Sequence, residues 1–191
     1  MTLERFSNLT DGTEGAQARR VPVVVGQSLF LRGELGLLAT QDLARGEVIL
    51  VIEGPTTSVR TRYTIQVSPT EHLDPRQLDG TPGHGHFLNH SCDPSAGLRI
   101  NRTRTAACVE VVARQDIHAS EEVTFDYAAT EYTTAASETA CQCGAARCRG
   151  NLRGYKDLPD HIRAQYKAEG FIPDYLSRLG EPDSEIGSLR R

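Results

Sequence analysis

Apolar positions in this chain fall in short runs broken by glycine and proline, the pattern of many brief strands rather than of long helices. Val21-Pro22-Val23-Val24-Val25 is a β-branched run ended by Gly26. Between Gly33, Gly36 and Gly46, the runs Leu37-Leu38-Ala39 and Val48-Ile49-Leu50-Val51-Ile52 predict two more strands, the second closed by Pro55. Tyr63-Thr64-Ile65-Gln66-Val67 alternates as a half-buried strand does. Pro69, Pro75, Pro82 and the glycines up to Gly85 mark a stretch that is mostly loop. Ala106 to Val112 and Glu122 to Phe125 complete the predicted strands.

A helical period emerges only between Asp157 and Gly170, where Leu158, Ile162 and Tyr166 recur at four-residue spacing and Pro159 fits a first turn. Residues 1–20 carry little apolar pattern and read as a flexible leader, and Glu181 to Arg191 as a frayed end. The expected fold class is mainly β, a β-rich α+β domain. Its expected divisions are a leader at 1–20, a β domain at 21–135, a cysteine-bearing segment at 136–156, and a helix and tail at 157–191.

Composition adds bounds. A chain of 191 residues, 38% hydrophobic and 24% charged, is long enough for one globular domain with an ordinary core. Its net charge of −4 argues against direct nucleic-acid binding and is compatible with a basic peptide partner. No apolar run approaches the roughly 20 residues of a membrane helix, and the start lacks a signal-peptide core. The expected location is therefore intracellular, cytoplasmic if the source is bacterial.

The cysteines carry the first chemical signal. Cys92, Cys108, Cys141, Cys143 and Cys148 make an odd number, and Cys141-x-Cys143-x4-Cys148 crowds three soft ligands onto one loop with Gly144 free to turn. Cys-x-Cys cannot close a relaxed disulfide, so thiolates on a metal are the better reading. Cys108 sits in an apolar run and is expected to pack in the core. Two further motifs precede the loop. His86-Phe87-Leu88-Asn89-His90-Ser91-Cys92 runs into an Asp93-Pro94 turn, and Glu121-Glu122-Val123-Thr124-Phe125-Asp126-Tyr127 mixes apolar and polar groups.

Asn-His-Ser-Cys, Phe-Asp-Tyr and Cys-x-Cys-x4-Cys, in this order, resemble a SET domain followed by a post-SET zinc segment, over roughly Val21 to Gly154. No cysteine-rich segment precedes residue 33, so the resemblance is to a compact member without a pre-SET cluster. It implies several short sheets with a knot-like crossing at Asn89-His90, and S-adenosylmethionine-dependent methylation of protein lysine. Asn89 and the His90 backbone are then expected to hold the cofactor, together with a glycine turn at Gly33, Leu35 and Gly36. Glu34 stands where that turn's first glycine falls, and a one-residue shift to Gly33 restores it.

The resemblance also makes Tyr127 the tyrosine beside the transferred methyl and Phe125 the product-specificity position. By the same resemblance Leu152 is either a cover for the adenine or an ordinary buried leucine, and Cys92 is expected to join Cys141, Cys143 and Cys148 around a structural Zn2+. Tyr132 and Tyr155 are expected to pack. The chain departs from the family at Ile52 (for a lysine-channel tyrosine), Pro55 (for an acid), Ser95 and His86. The expected partner is a protein or peptide bearing lysine, with no membrane. Ile52 and Pro55 keep a small-amine substrate open, and a non-catalytic binding module is the third reading.

Overall fold

The computed structural model describes residues 21–76, 80–102, 107–134 and 137–179. Among the described residues the six expected runs contribute strands, four further strands join them, and the ten form three small sheets. Strands β1 (Val23–Gln27), β2 (Leu35–Ala39), β7 (Asn89–His90) and β10 (Glu122–Phe125) form the first, in the order β1-β2-β10-β7. Strands β3 (Val48–Gly54), β8 (Ala96–Arg102) and β9 (Ala107–Ala113) form the second, with β9 central. The third joins β4 (Thr56–Thr57), β5 (Ile65–Gln66) and β6 (His72–Leu73), with β6 central. Helices α1 (Asp160–Ala168) and α2 (Asp174–Leu179) follow. The architecture is strand-rich with late helices, as the hydrophobic pattern implies.

Two cores hold it. Leu37, Leu43, Leu73, Leu98, Val109, Val111, Ile117 and Val123 are fully buried between the sheets. A smaller core joins Ala128, Ala129, Tyr155, Leu158, Tyr166 and Leu176, with Tyr132 packed against it. Tyr132 and Tyr155 thus pack, their ring centroids 6.5 Å apart.

Several expectations are corrected. Gly26 does not end β1: the strand continues to Gln27 and pairs with β2 at five positions, including Gly26 with Gly36. Strand β8 was not expected, because Gly97, Arg99 and Asn101 alternate with Ala96, Leu98 and Ile100 and leave no continuous apolar run. It nonetheless pairs with β9 over seven residues and buries Ala96 and Leu98. Thr64 to Val67 do not alternate, since all four are buried. Only Ile65 and Gln66 form a strand, and the Tyr175 hydroxyl donates to the Gln66 carbonyl at 2.8 Å. The expected loop between Pro69 and Gly85 contains β6 and leads into a 3-10 turn at His84–Phe87. Cys108 is only half-buried. A second helix, α2, follows the one foreseen. The leader, the closing tail and the boundary at 135/136 lie outside the described residues.

The C-terminal segment is fastened to the β8–β9 sheet by a close approach. The Phe171 ring lies so near Gly97 that a Cβ there would collide with it. Beside it Arg114 donates to Glu169 at 2.7 Å, and its guanidinium lies 4.9 Å over the Tyr166 ring. Gly97→Ala should therefore cost about 1–3 kcal/mol, the usual range for overpacking. Urea unfolding measures this, and a loss of less than about 0.5 kcal/mol would show that Phe171 moves freely.

Candidate functional site

Strand β10 is where the distant motifs meet. On one side it pairs antiparallel with β2, Glu122 opposite Leu38 and Val123 opposite Leu37. On the other it pairs in parallel with β7, Thr124 opposite Asn89 and Phe125 opposite His90. All four β10 residues are buried, so both faces are covered and two polar side chains must find partners inside.

Glu122 does so with three donor residues. It accepts from the Ser28 hydroxyl at 2.9 Å, the Leu29 N–H at 2.6 Å and the Asn89 side-chain amide at 2.8 Å. The same Asn89 nitrogen donates to the Leu35 carbonyl at 2.9 Å. Gly36 is glycine because any Cβ there would strike the Glu122 carboxylate. Gly33, not residue 34, takes the left-handed backbone (φ +83°) that closes the β1–β2 turn. The β1–β2 turn thus has its left-handed glycine one position before Glu34.

A pocket opens beside these residues, with Leu88, Asn89, Phe125 and Tyr127 along one side. Arg62, Tyr63, Thr64 and Ile65 line another part, and Gly85, His86, Thr130 and Glu131 complete it. The Phe125 and Tyr127 rings stand 4.9 Å apart at 48°. The Tyr127 hydroxyl donates to the Leu88 carbonyl at 3.2 Å. Burial, reinforced by the charge of Glu131, pushes this phenol well above its ordinary pKa, so it stays protonated. His86 stacks on Tyr63 with ring centroids at 3.7 Å, and burial holds it below the usual histidine range. Ile52 sits behind this wall, packed against Gly85 and outside the lining. Leu152 is likewise outside the lining; its N–H donates to the Thr139 carbonyl at 3.0 Å.

The cysteines assemble at the other end of β7. One ligand atom each from His90, Cys92, Cys141 and Cys143 lie within 4.8 Å of one another. Cys148, exposed, approaches the same group, its Sγ 3.9 Å from the Cys141 carbonyl. Backbone N–H groups point at the sulfurs: Arg149 to Cys92 at 3.4 Å, Cys92 to Cys143 at 3.4 Å, and Gly150 to Cys148 at 3.5 Å. Such donors stabilise thiolate over thiol. Burial alone pushes the Cys143 thiol up, but the N–H groups of Cys92 and Ala145 and the neighbouring thiols outweigh it and bring it down.

His90 lies among these sulfurs with its other ring nitrogen already hydrogen-bonded. Its Nδ1 accepts from the Tyr127 N–H at 3.2 Å, so the proton belongs on Nε2, which faces the Cys92 sulfur at 3.3 Å. Burial, against the opposing charge of Asp126, pulls its pKa down to about 4. A neutral imidazole with Nε2–H toward Cys92 is compatible with sulfur ligands, while Cys148 lies outside the four converging atoms. The donor set therefore suits a tetrahedral soft-ligand ion such as zinc.

Asp126 ties the two halves together. It is 1% exposed at the side chain and receives a two-pronged salt bridge from Arg149, at 2.7 and 2.8 Å. The Tyr166 hydroxyl at 3.1 Å and the Ala128 N–H at 3.0 Å also donate to it, and His90 Nδ1 lies 3.6 Å away. The sequence motifs contain Asp126 and Arg149 but do not reveal this pairing, nor Glu122's donors, nor Tyr63 against His86. A charged residue in a run of β-branched and aromatic neighbours, as Glu122 is, was the available signal.

Three small sheets around a parallel β7–β10 pair, with a pocket on one side and a cysteine cluster on the other, define a class of fold before any sequence comparison. The model of the SET domain matches residues 34–128, and the chain belongs to the SET-domain family. An H3 lysine-36-specific histone-lysine N-methyltransferase of Yarrowia lipolytica is 33% identical over 134 residues, 62% of this chain and 17% of that protein. The histone-lysine N-methyltransferase ASHH2 of Arabidopsis thaliana is 36% identical over 131 residues, 62% of this chain and 7% of that one. An H3 lysine-4-specific enzyme of Debaryomyces hansenii is 27% identical over 149 residues, 70% of this chain and 13% of that one. The chain thus spans less than a fifth of the length of these relatives. A structure of KRYPTONITE with mCHG DNA and SAH shares the fold, with a TM-score of 0.57 and 22% identity over 71% of this chain and 30% of that one. Among the described residues no helix is long and apolar enough to cross a membrane.

The Asp126–Arg149 pair makes a sharp stability prediction. Arg149→Met keeps the stem but leaves a buried carboxylate without its cation, and should cost about 3–5 kcal/mol. Denaturant unfolding measures it. A loss of less than about 1 kcal/mol would show that water reaches Asp126 in the native state.

Proposed function

We propose that this chain transfers a methyl group from S-adenosylmethionine to a lysine ε-amine of a protein or peptide, with a structural zinc ion held by Cys92, Cys141, Cys143 and Cys148. The observation that carries this reading is the parallel β7–β10 pairing, which puts Asn89, Phe125 and Tyr127 on one pocket beside Gly36 and Glu122. The names of the relatives, histone-lysine N-methyltransferases, support the same chemistry, as does the SAH bound in KRYPTONITE.

Methyl transfer from a sulfonium to an amine is an in-line displacement, and holding the nitrogen about 3–3.5 Å from the carbon supplies much of the rate. The lysine ammonium, with a free pKa near 10.4, must first lose a proton. Desolvation in the pocket and a neighbouring sulfonium both lower that value, so no strong base is required. Tyr127 contributes a protonated phenol fixed by the Leu88 carbonyl, a pair of oxygens that can hold polarised C–H groups and orient the amine. Asn89, held by Leu35 and Glu122, offers the remaining hydrogen-bonding capacity of its amide to the methionyl end of the donor. Gly33, Leu35 and Gly36 shape the turn around it. The His90 backbone and Leu152 belong to the proposed donor site as well, although neither lines this pocket. Ile52, buried behind Gly85, no longer argues for a small amine as acceptor.

Label from methyl-labelled S-adenosylmethionine should enter protein when extract and a pool of small amines are offered together. Label confined to the small amines, or none in either, refutes protein methylation. Tyr127→Phe keeps the ring and should lower turnover by at least about 100-fold while donor affinity stays within about twofold, because the hydroxyl acts on the reacting centre. Turnover within twofold of the wild type would remove Tyr127 from that role. Elemental analysis should find one zinc per chain, lost in Cys148→Ser; purified protein free of zinc, without chelator, overturns the metal assignment.

A further inference from the structure

The seven residues 58–64 joining β4 to β5 supply three of the pocket's lining side chains, and they are fastened across it at three points. Arg60 reaches the far side, donating to the Glu131 carboxylate at 2.6 Å and the Thr133 carbonyl at 2.8 Å. Arg62 lies 3.6 Å from Glu34 on the β1–β2 turn and 4.9 Å over the outer face of Tyr63. Tyr63 in turn stacks on His86. Within the loop the hydrogen bonds are local: the Thr61 N–H donates to the Thr64 hydroxyl at 2.9 Å and the Tyr63 N–H to the Thr61 hydroxyl at 3.2 Å. A segment closed on itself and attached elsewhere by a few side chains opens as a unit.

The three fastenings are unequal. The Arg62–Glu34 pair, with side chains 68% and 54% exposed, holds little. The Arg60–Glu131 pair is more enclosed, at 30% and 16%, and Glu131 also accepts from the Thr134 side chain. Glu131 lines the pocket itself. If Arg60 leaves, a carboxylate facing the pocket is left without its cation, and an incoming cation restores the balance while Arg60 moves into water. Two departures from the family pattern, Glu34 and His86, are contact points of this same loop.

We propose that the 58–64 loop is a lid on the acceptor side of the pocket, which a basic acceptor opens by replacing Arg60 with its own cation on Glu131. Glu131 is then a specificity-determining residue that selects a lysine with a neighbouring Arg or Lys. This rests on the acceptor being a protein lysine.

The test uses two peptides with the same target lysine, one flanked by arginine and one by glutamine, together with hydrogen exchange of the 58–64 segment. The wild type should favour the arginine peptide about tenfold in kcat/KM, and Glu131→Gln should shrink that preference to within about twofold. Arg60→Met should lower KM for the arginine peptide and speed exchange at 58–64 several-fold. The arginine peptide, added to wild-type protein, should speed it likewise. An unchanged preference in Glu131→Gln overturns the selectivity, and unaltered exchange in Arg60→Met overturns the lid. Absence of transfer to either peptide strikes the methyltransferase reading instead, and the exchange data still decide the lid.

Discussion

The carboxylate of Asp126 is the constraint on which the rest of this structure depends. It sits at the end of β10, almost wholly out of water, and collects Arg149 from the cysteine loop, Tyr166 from α1 and its own chain at Ala128. Burying two charges is expensive, and a hydrophobic replacement of similar volume is often as stable. What the pair contributes is therefore best understood as position. Each partner comes from a different stretch of chain, and only one docking of the cysteine loop and the C-terminal helix satisfies all the donors at once. An apolar cluster would allow sliding; a fork-shaped salt bridge does not.

The same strand carries Glu122 four residues earlier, and the two carboxylates divide the work. Glu122 gathers the β1–β2 turn and Asn89, and so fixes the side of the pocket assigned to the donor. Asp126 gathers the cysteine loop and α1, behind the pocket. Between them Thr124 answers to the Ser95 hydroxyl, and Phe125 turns its ring toward Tyr127. Ser95, a departure from the family's usual asparagine, is thus absorbed structurally, since its hydroxyl also donates to the Glu122 carbonyl at 3.0 Å. A strand buried on both faces turns each polar residue into a connector, because no water is there to take its place.

How much of this was legible follows from sequence distance. Contiguous motifs such as Asn89-His90-Ser91-Cys92 or Cys141-x-Cys143 display their chemistry in a few residues, and the structure brings Cys92 to that loop. The strands with uninterrupted apolar runs were legible as well. Strand β8 was not, because every second residue breaks its apolar run: Gly97, Arg99 and Asn101 share one face, where Gly97 makes room for Phe171 rather than serving strand propensity. Nor were the partnerships of Glu122 with Ser28, Arg149 with Asp126 or Arg60 with Glu131. A charged side chain shows in the sequence that it needs a partner, but only the fold selects which one.

His90 shows how the two candidate centres are joined. Its Nδ1 takes the N–H of Tyr127 and its Nε2 faces the sulfur of Cys92, so one imidazole spans from the pocket's tyrosine to the cysteine cluster. Its protonation state is set by geometry: the Tyr127 N–H can only be answered by a bare nitrogen, which leaves the proton on Nε2 for the sulfur. A negative sulfur strengthens that N–H contact, and a neutral thiol weakens it. The same ring thus touches the backbone of the residue whose hydroxyl meets Leu88. The cysteine loop is then more than a staple for the C-terminal segment, because His90 links it by direct contacts to the backbone of Tyr127.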